Sequence, residues 1–175
     1  MREDILQYIW KFQYYNRAEL SGASGDVITV IQPGQHNTNQ GPDFTGARIK
    51  INDTLWAGNI ELHINSSHWN LHRHSADQNF NNIILHVVWN HDQEIKDAHG
   101  NNLPTLELQT RVSKLLLDRY RQMMDATQFI PCENQTHQLS KLSMDSWKHR
   151  LVAERLMARS LKIFDTLKET NDHWE

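Results

Sequence analysis

Residues 41–91 read GPDFTGARIKINDTLWAGNIELHINSSHWNLHRHSADQNFNNIILHVVWNH. Two strand-like segments flank an Asn52-Asp53 turn, and an apolar run follows at residues 83–89, so this stretch predicts three successive strands. Asp43 opens the first of these strands. Glu61 and His63 lie two residues apart on the second strand and therefore share one face of the sheet. Two carboxylates and a third polar group on one sheet face are a typical arrangement for holding a divalent metal ion.

The periodicity of the whole chain predicts a mixed fold. Apolar residues at helical spacing indicate an amphipathic helix over residues 3–16. Strands are expected at residues 26–31, 44–51, 55–64, 83–89 and 103–109, a short helix or irregular loop at 66–82, and helices at 112–126 and 144–170. We therefore predict an α/β (α+β) fold with a central mixed β-sheet, an N-terminal helix and a C-terminal helical extension.

The predicted organisation is a mixed-sheet domain over residues 1–110, which carries the candidate metal site, and a helical extension over residues 111–175. The chain ends at Glu175 without a helix stop signal. This ending predicts a fragment of a longer protein, or a tail that needs a partner.

Composition narrows the class of protein. No apolar run reaches the roughly 20 residues that a membrane span needs, and the first residues lack the features of a signal peptide, so we expect a cytoplasmic protein without a membrane partner. The single cysteine, Cys132, excludes an internal disulfide and a Cys-rich zinc site. Residues 32–103 carry four Lys/Arg against seven Asp/Glu. This acidic balance argues against a tightly held nucleic acid.

The order of the predicted elements resembles the α-β-β-β-α-β core of the PD-(D/E)XK nuclease-like superfamily. Pro42-Asp43 matches the PD motif of that superfamily, and Glu61-Leu62-His63 matches its (D/E)xK motif. The resemblance implies metal-dependent cleavage of phosphodiester bonds and a nucleic acid as partner. His63 stands where the superfamily has lysine, so the chain departs from the superfamily at the residue that would activate water.

A second resemblance covers essentially the whole chain. Its motifs are Gly41-Pro-Asp-Phe44, Trp56-x-Gly-Asn59, Glu61-x-His63, Ser67-x-Trp69, His72-x-His74, Asp77 and Asn82-x-x-Leu-His86-Val-Val88. In these the chain is similar to a family of uncharacterised bacterial proteins defined by a domain of unknown function. The resemblance implies a longer protein than these 175 residues and no established activity, cofactor or substrate.

The carboxylates suggest one chemistry. Asp43 and Glu61 on adjacent strands would share Mg²⁺ or Mn²⁺, and the ion would activate a bound water for attack on a phosphoryl group. His63 would serve as a further ligand or as a proton carrier. The alternative is structural, with Asp43 bonded to its own turn and Glu61 half-exposed on a hairpin.

The histidines suggest a second chemistry. Eight of the eleven histidines lie between His36 and His99. His72, His74 and Asp77 have a spacing that can supply ligands for a softer ion such as Zn²⁺, although His-rich solvated loops have the same pattern.

Two residues besides the candidate metal ligands are candidates for binding. His86 interrupts an apolar strand, where it either bonds a backbone carbonyl or faces the same cavity as Glu61. Trp69 is a candidate binding residue, with a place in the core or at its rim as the alternative.

Three functions follow from these patterns. The first is a metal-dependent phosphodiesterase with a nuclease-like core, in which Asp43, Glu61 and His63 are catalytic. The second is a non-catalytic scaffold that binds another protein, the missing part of its own chain or a second copy of itself. The third is a zinc- or iron-dependent hydrolase of a non-nucleotide substrate, which needs three ligands around one open position.

Overall fold

The computed structural model describes residues 2–125 and 139–169. The chain has a mixed α+β fold, as the sequence predicts, with an N-terminal helix, a mixed sheet and C-terminal helices. It divides into two compact units, Met1–Asp118 and Arg119–Glu175. Cys132 and residues 171–175, on which two of the expectations above depend, lie outside the described residues.

The first helix, α1, spans Glu3–Phe12 and is shorter than the predicted 3–16. Its apolar positions Ile5, Leu6, Ile9 and Trp10 are all buried, which is the expected result of helical spacing. The helix ends because Gln13 adopts the left-handed conformation, with φ of 56°. This turn leaves the aromatic residues at 14 and 15 outside the helix.

The sheet has six strands. They are β1 Ile28–Gln32, β2 Gln35–His36, β3 Phe44–Ile51, β4 Thr54–Asn65, β5 Ile83–Asn90 and β6 Thr105–Glu107. The strand order is β1-β3-β4-β5-β6, and β2 pairs with β3. The pairs that involve β3 are antiparallel, whereas β4–β5 and β5–β6 are parallel. The strands β4 and β5 each have a neighbour on both sides, and residues 60–63 of β4 and 84–88 of β5 are buried.

A tight turn joins β3 to β4. Asn52 occupies this turn with φ of 52°, a conformation that asparagine tolerates better than most residues. Its side chain donates a hydrogen bond to Asp26 and accepts one from the backbone N–H of Val27. The Asn52-Asp53 turn thus fixes the antiparallel register that places Phe44 opposite Ile60.

The connection from β4 to β5 holds a short helix, α2 at His68–Leu71, and two 3-10 turns at His74–Ala76 and Gln78–Phe80. Gly58 allows β5 to begin close to β4. A Cβ atom at this position would lie 2.5 Å from Ile84 Cγ2 and 2.7 Å from the carbonyl oxygen of Asn82. Because β4 and β5 are parallel, residues 66–82 run back from the end of β4 to the start of β5.

Two further helices follow, α3 at Lys114–Met124 and α4 at Lys141–Glu169. No residue of either helix is buried. Among residues 2–125 and 139–169, no helix has both the length and the apolar character required to cross a membrane.

Candidate metal centre

Strand β4 positions the first two residues of the site. Glu61 and His63 alternate with Ile60 and Leu62, so their side chains leave the same face of the sheet. Both are nearly inaccessible, Glu61 being 6% and His63 1% exposed. A carboxyl group and an imidazole buried together require partners, because unpaired polar groups are costly away from water.

The crossover brings two more histidines to His63. His72 ends α2, and His74 begins the next 3-10 turn. Between them Arg73 has φ of 59° and ψ of 33°, a left-handed conformation that reverses the chain direction. As a result the rings of His72 and His74 lie 5.4 Å apart, although neighbours in an HxH motif need not converge.

The three imidazoles converge through specific nitrogens. His63 Nε2 lies 3.1 Å from His72 Nδ1 and 3.3 Å from His74 Nε2. One ring nitrogen from each of the three histidines lies within 4.8 Å of the other two, and this group could hold a metal ion. Zn–N bonds of about 2.0–2.1 Å in a tetrahedron separate neighbouring nitrogens by about 3.3–3.4 Å. The two short contacts are therefore close to the spacing of zinc ligands.

Glu61 supplies a fourth group beside the same point. Its Oε1 lies 3.4 Å from His74 Nε2 and 3.8 Å from His63 Nε2. Its other oxygen, Oε2, accepts a hydrogen bond of 3.1 Å from the backbone N–H of Asp43. One carboxylate oxygen thus fixes the side chain while the other faces the imidazoles.

Hydrogen bonding between the imidazoles cannot satisfy all these contacts at once. A neutral imidazole offers one N–H donor and one lone pair. His63 Nε2 faces both His72 and His74 and can therefore bond only one of them well. A cation at the centre would instead accept a lone pair from each ring.

Asp43 lies next to Glu61 but is held by other groups. Its Oδ2 accepts a hydrogen bond of 3.0 Å from the backbone N–H of Leu62, and its Oδ1 accepts one of 2.8 Å from Gln7 Nε2. The structure thus brings together Asp43, directly before β3, and Glu61 on the adjacent antiparallel strand β4. Both oxygens of Asp43 are occupied by N–H donors, which suits a residue that positions β3 against Glu61.

Burial dominates the electrostatics of the site. Burial and the nearby Asp43 carboxylate raise the pKa of Glu61 to about 8. Burial, together with the charge of Glu3, raises the pKa of Asp43 to about 6. Burial also lowers the pKa of His63 to about 2 and that of His74 to about 4. Near pH 7 the imidazoles of His63 and His74 are therefore neutral, which is the form that binds metal.

The family described as Protein of unknown function (DUF2851) matches residues 3–175. The chain belongs to this family. No curated protein and no solved structure matches the chain, and the resemblance to nuclease-like proteins is not shown by these comparisons. The side chains of the site are therefore the available indication of the chemistry of this DUF2851 member.

The other predicted residues of this DUF2851 protein have different positions. His86 lies on β5 opposite Glu61, and its Nε2 is 2.8 Å from His63 Nδ1. Trp69 is buried, contacts the rings of His74 and His86, and donates a hydrogen bond to Ser75 Oγ. It forms a wall of the site. Asp77 does not join the group, because its carboxylate accepts the backbone N–H of Asn79 and caps a 3-10 turn.

Helix α1 contributes two side chains that no sequence motif indicates. Gln7 binds Asp43, and Glu3 lies 4.0 Å from His68 Nδ1, the histidine that begins α2. Glu3 and Gln7 are four residues apart and so occupy one side of the helix. That spacing is the only sequence signal for their role, and it does not reveal which sheet residues they approach.

Proposed function

We propose that this protein is a metal-dependent hydrolase. Its ion would be held by His63, His72 and His74, and Zn²⁺ or another imidazole-preferring transition metal fits this ligand set better than Mg²⁺. The convergence of three imidazole nitrogens within 4.8 Å is the observation that carries the proposal.

The site has a side from which substrate can reach the ion. His72 is exposed, whereas His63 is buried and His74 is largely covered. Three protein ligands and one open position are the pattern of catalytic zinc sites, where the ion activates a bound water. The exposed side of His72 is therefore the expected position for water and substrate.

Glu61 would act on that water. Its Oε1 faces the imidazole nitrogens, and its high pKa in the absence of metal makes it able to accept and return a proton near neutrality. Asp43 supports it by donating its backbone N–H to Oε2. Asp43 and Glu61 then serve the histidine site and do not form a separate two-carboxylate Mg²⁺ site.

The surrounding charge favours an uncharged substrate. Three carboxyl groups lie close together here: in addition to burial, the charges of Asp43 and Glu3 raise the pKa of Glu61, and the charge of Glu3 raises that of Asp43. Once the ion has displaced the proton of Glu61, one Zn²⁺ beside these three carboxylates would leave a net charge of about −1. A carboxylic ester or amide would approach this site more easily than a phosphodiester, because the latter carries its own negative charge.

The first test is calorimetric titration of Zn²⁺ and then Mn²⁺ into metal-stripped protein. We expect one Zn²⁺ per chain and weaker binding of Mn²⁺, in line with the usual order of affinities. His72→Ala should abolish tight binding. His68→Ala is the matched control, since it removes a nearby imidazole that is not among the three ligands. A parent protein that binds neither metal would refute the proposal.

The second test separates the role of Glu61 and the substrate class. Glu61→Gln should still bind Zn²⁺ but lose hydrolysis if Glu61 acts on the water. The substrates to compare are a p-nitrophenyl carboxylic ester and bis-p-nitrophenyl phosphate, each with the Zn²⁺-loaded parent. Cleavage of the phosphodiester alone would replace the ester hydrolase by a phosphodiesterase.

The exposed apolar side chains of α4 support a second candidate function, protein binding. This helix of 29 residues has no buried residue, and it exposes Leu142 by 80%, Trp147 by 50% and Phe164 by 60%. Exposed apolar side chains along one element commonly mark an interaction surface. Residues 141–169 also carry seven Lys/Arg against four Asp/Glu, so the partner would be an acidic, amphipathic segment of another protein.

A labelled acidic amphipathic peptide tests this second candidate through its fluorescence anisotropy. The full chain should bind it, whereas a basic peptide of the same apolar pattern should not bind. Replacing Leu156 and Leu161 by glutamate should abolish the interaction. Sedimentation of the parent alone measures self-association, and a dimer without peptide binding would identify a second copy as the occupant instead.

A further inference from the structure

His63 and His86 can share a proton in two tautomeric arrangements. His63 Nδ1 lies 2.8 Å from His86 Nε2, and both rings are buried. Two neutral imidazoles share one proton in such a contact. Either His86 Nε2–H donates to His63 Nδ1, or His63 Nδ1–H donates to His86 Nε2.

A metal ion would decide between the two forms. The nitrogen of His63 that faces His72 and His74 is Nε2, so its lone pair must be free when metal is bound. The single proton of His63 must then be on Nδ1, where it is donated to His86 Nε2. His86 in turn must carry its own proton on Nδ1.

The surroundings of His86 Nδ1 make this form costly. Among residues 2–125 and 139–169, this buried nitrogen has no hydrogen-bond partner. An N–H group buried without an acceptor is unfavourable. Without metal, the opposite tautomers avoid an unpaired N–H group at His86 Nδ1. In that form His86 Nε2–H donates to His63 Nδ1, and His63 Nε2–H can donate to His72 Nδ1.

We propose that His86 is a positioning residue of the metal centre, and that metal binding switches both His63 and His86 from the Nε2–H to the Nδ1–H tautomer. The inference rests on the proposed metal site. Both rings remain neutral in the switch. His63 releases its Nε2 proton to water and receives the proton of His86 at Nδ1, while His86 takes up one proton from water at Nδ1, so the pair holds two protons before and after.

Long-range ¹H–¹⁵N correlation spectra of ¹⁵N-histidine-labelled parent protein, recorded without and with Zn²⁺, test the switch directly. Without metal, the protonated nitrogen of both His63 and His86 should be Nε2. With Zn²⁺, both should be protonated at Nδ1, and His63 Nε2 should show the shift of a metal ligand. A His86 that keeps its Nε2 proton in the zinc form would overturn the proposal.

Variants at His86 provide an independent measurement. His86→Phe removes both nitrogens and should weaken Zn²⁺ affinity by roughly 10- to 100-fold, the usual cost of losing an outer partner of a ligand. His86→Gln keeps an acceptor near the position of Nε2 and should restore affinity. His99→Phe, in an exposed loop, controls for loss of a histidine.

The results separate the two proposals. A parent that does not bind Zn²⁺ overturns both the metal site and the role of His86. A parent that binds Zn²⁺, beside a folded His86→Phe variant of equal affinity, overturns the role of His86 alone. If His86→Phe does not fold, the spectra of the parent still decide the proposal.

Discussion

Polar side chains lie inside the compact unit Met1–Asp118, called here the sheet unit, whereas apolar side chains lie on the surface of α4. The buried polar residues include Glu61, His63 and His86, all beside one another on β4 and β5. The exposed apolar residues of α4 include Trp147, Leu156 and Phe164. Each region thus departs from the usual distribution of residues, and the two regions depart in opposite directions.

The two departures have different energetic consequences. Buried polar groups reduce the stability of the folded unit unless something satisfies them, so the sheet unit should respond to a small ligand such as a metal ion. Exposed apolar groups cost little in the isolated chain and lower its free energy only when another surface covers them. The sheet unit should therefore be sensitive to metal and pH, and α4 should be insensitive to both.

The largest expected effect is stabilisation of the sheet unit by Zn²⁺. At free Zn²⁺ 1,000-fold above its dissociation constant, the free energy of unfolding should rise by about 4.1 kcal/mol, because the ion binds the folded state. Hydrogen exchange checks this residue by residue, with slower exchange in β4 and β5 and unchanged exchange in α4. His72→Ala should remove the gain. Equal slowing in α4 would mean that the two regions respond together.

The pH dependence of the metal-free protein should be the next largest effect. Burial leaves His63, His74 and His86 with pKa values of about 2, 4 and 3 in the folded state, so the unfolded chain binds more protons below about pH 6.5. Glu61, with a folded pKa of about 8, holds a proton that the unfolded chain releases above about pH 4.5. Stability should fall on the acid side through the histidines and on the alkaline side through Glu61.

The expected maximum is near pH 6.5. Below pH 6.5 the unfolded chain binds a proton on each of the three histidines, whereas the folded chain keeps one on Glu61 and, below its folded pKa of about 6, one on Asp43. The unfolded chain therefore binds about one proton more than the folded chain. Each side should then slope by about 1.4 kcal/mol per pH unit. Urea unfolding between pH 5 and 8 in the presence of a chelator measures both slopes. Glu61→Gln should lose the alkaline decline, and an unchanged decline would assign it to another group.

Arg73 offers a smaller test of the buried site. Its left-handed conformation costs about 1–2 kcal/mol in an ordinary residue and more in a β-branched one. Arg73→Val should therefore lower stability by about 1–2 kcal/mol and weaken Zn²⁺ binding, because it disturbs the approach of His72 to His74. Arg73→Gly is the control: glycine adopts this conformation without the steric cost, so the variant should lose no stability and should keep the Zn²⁺ affinity of the parent. Equal losses in the two variants would point to the arginine side chain instead.

The smallest expected effect is on α4. Replacing Leu156 and Leu161 by glutamate should change the free energy of unfolding of the sheet unit by no more than about 0.5 kcal/mol, as is usual for surface positions. Chemical denaturation followed by the exchange of β5 amides measures it. A loss well above this value would show that these leucines stabilise the sheet unit and that α4 is not energetically independent of it.

The central part of the fold follows closely from local sequence. Alternation predicts a strand at 55–64, and β4 spans Thr54–Asn65, while the apolar run at 83–89 corresponds to β5 at Ile83–Asn90. The ends of elements are less predictable, because they depend on single backbone conformations and on pairing partners. Gln13 ends α1 before Tyr14 and Tyr15. The two-residue strand β2 exists only through its pairing with β3.

The site follows from sequence only in part. The spacing of Glu61 and His63 predicts a shared face, and the structure places them so. The convergence of His72 and His74 on His63 depends on the left-handed Arg73, which an HRH sequence does not indicate. The contact between His63 and His86 depends on parallel pairing of β4 with β5, a long-range feature that no local pattern specifies.

The crossover between β4 and β5 also has a consequence for synthesis of the chain. The three imidazoles of the candidate site lie within twelve consecutive residues, from His63 to His74. A growing polypeptide would expose all three before β5 had been made, and closing so short a loop around an ion costs little entropy. Zn²⁺ could then organise the crossover first and present a formed edge of β4 to which β5 adds. Refolding of the complete chain should accordingly be faster when the ion is present from the start than when it is added afterwards.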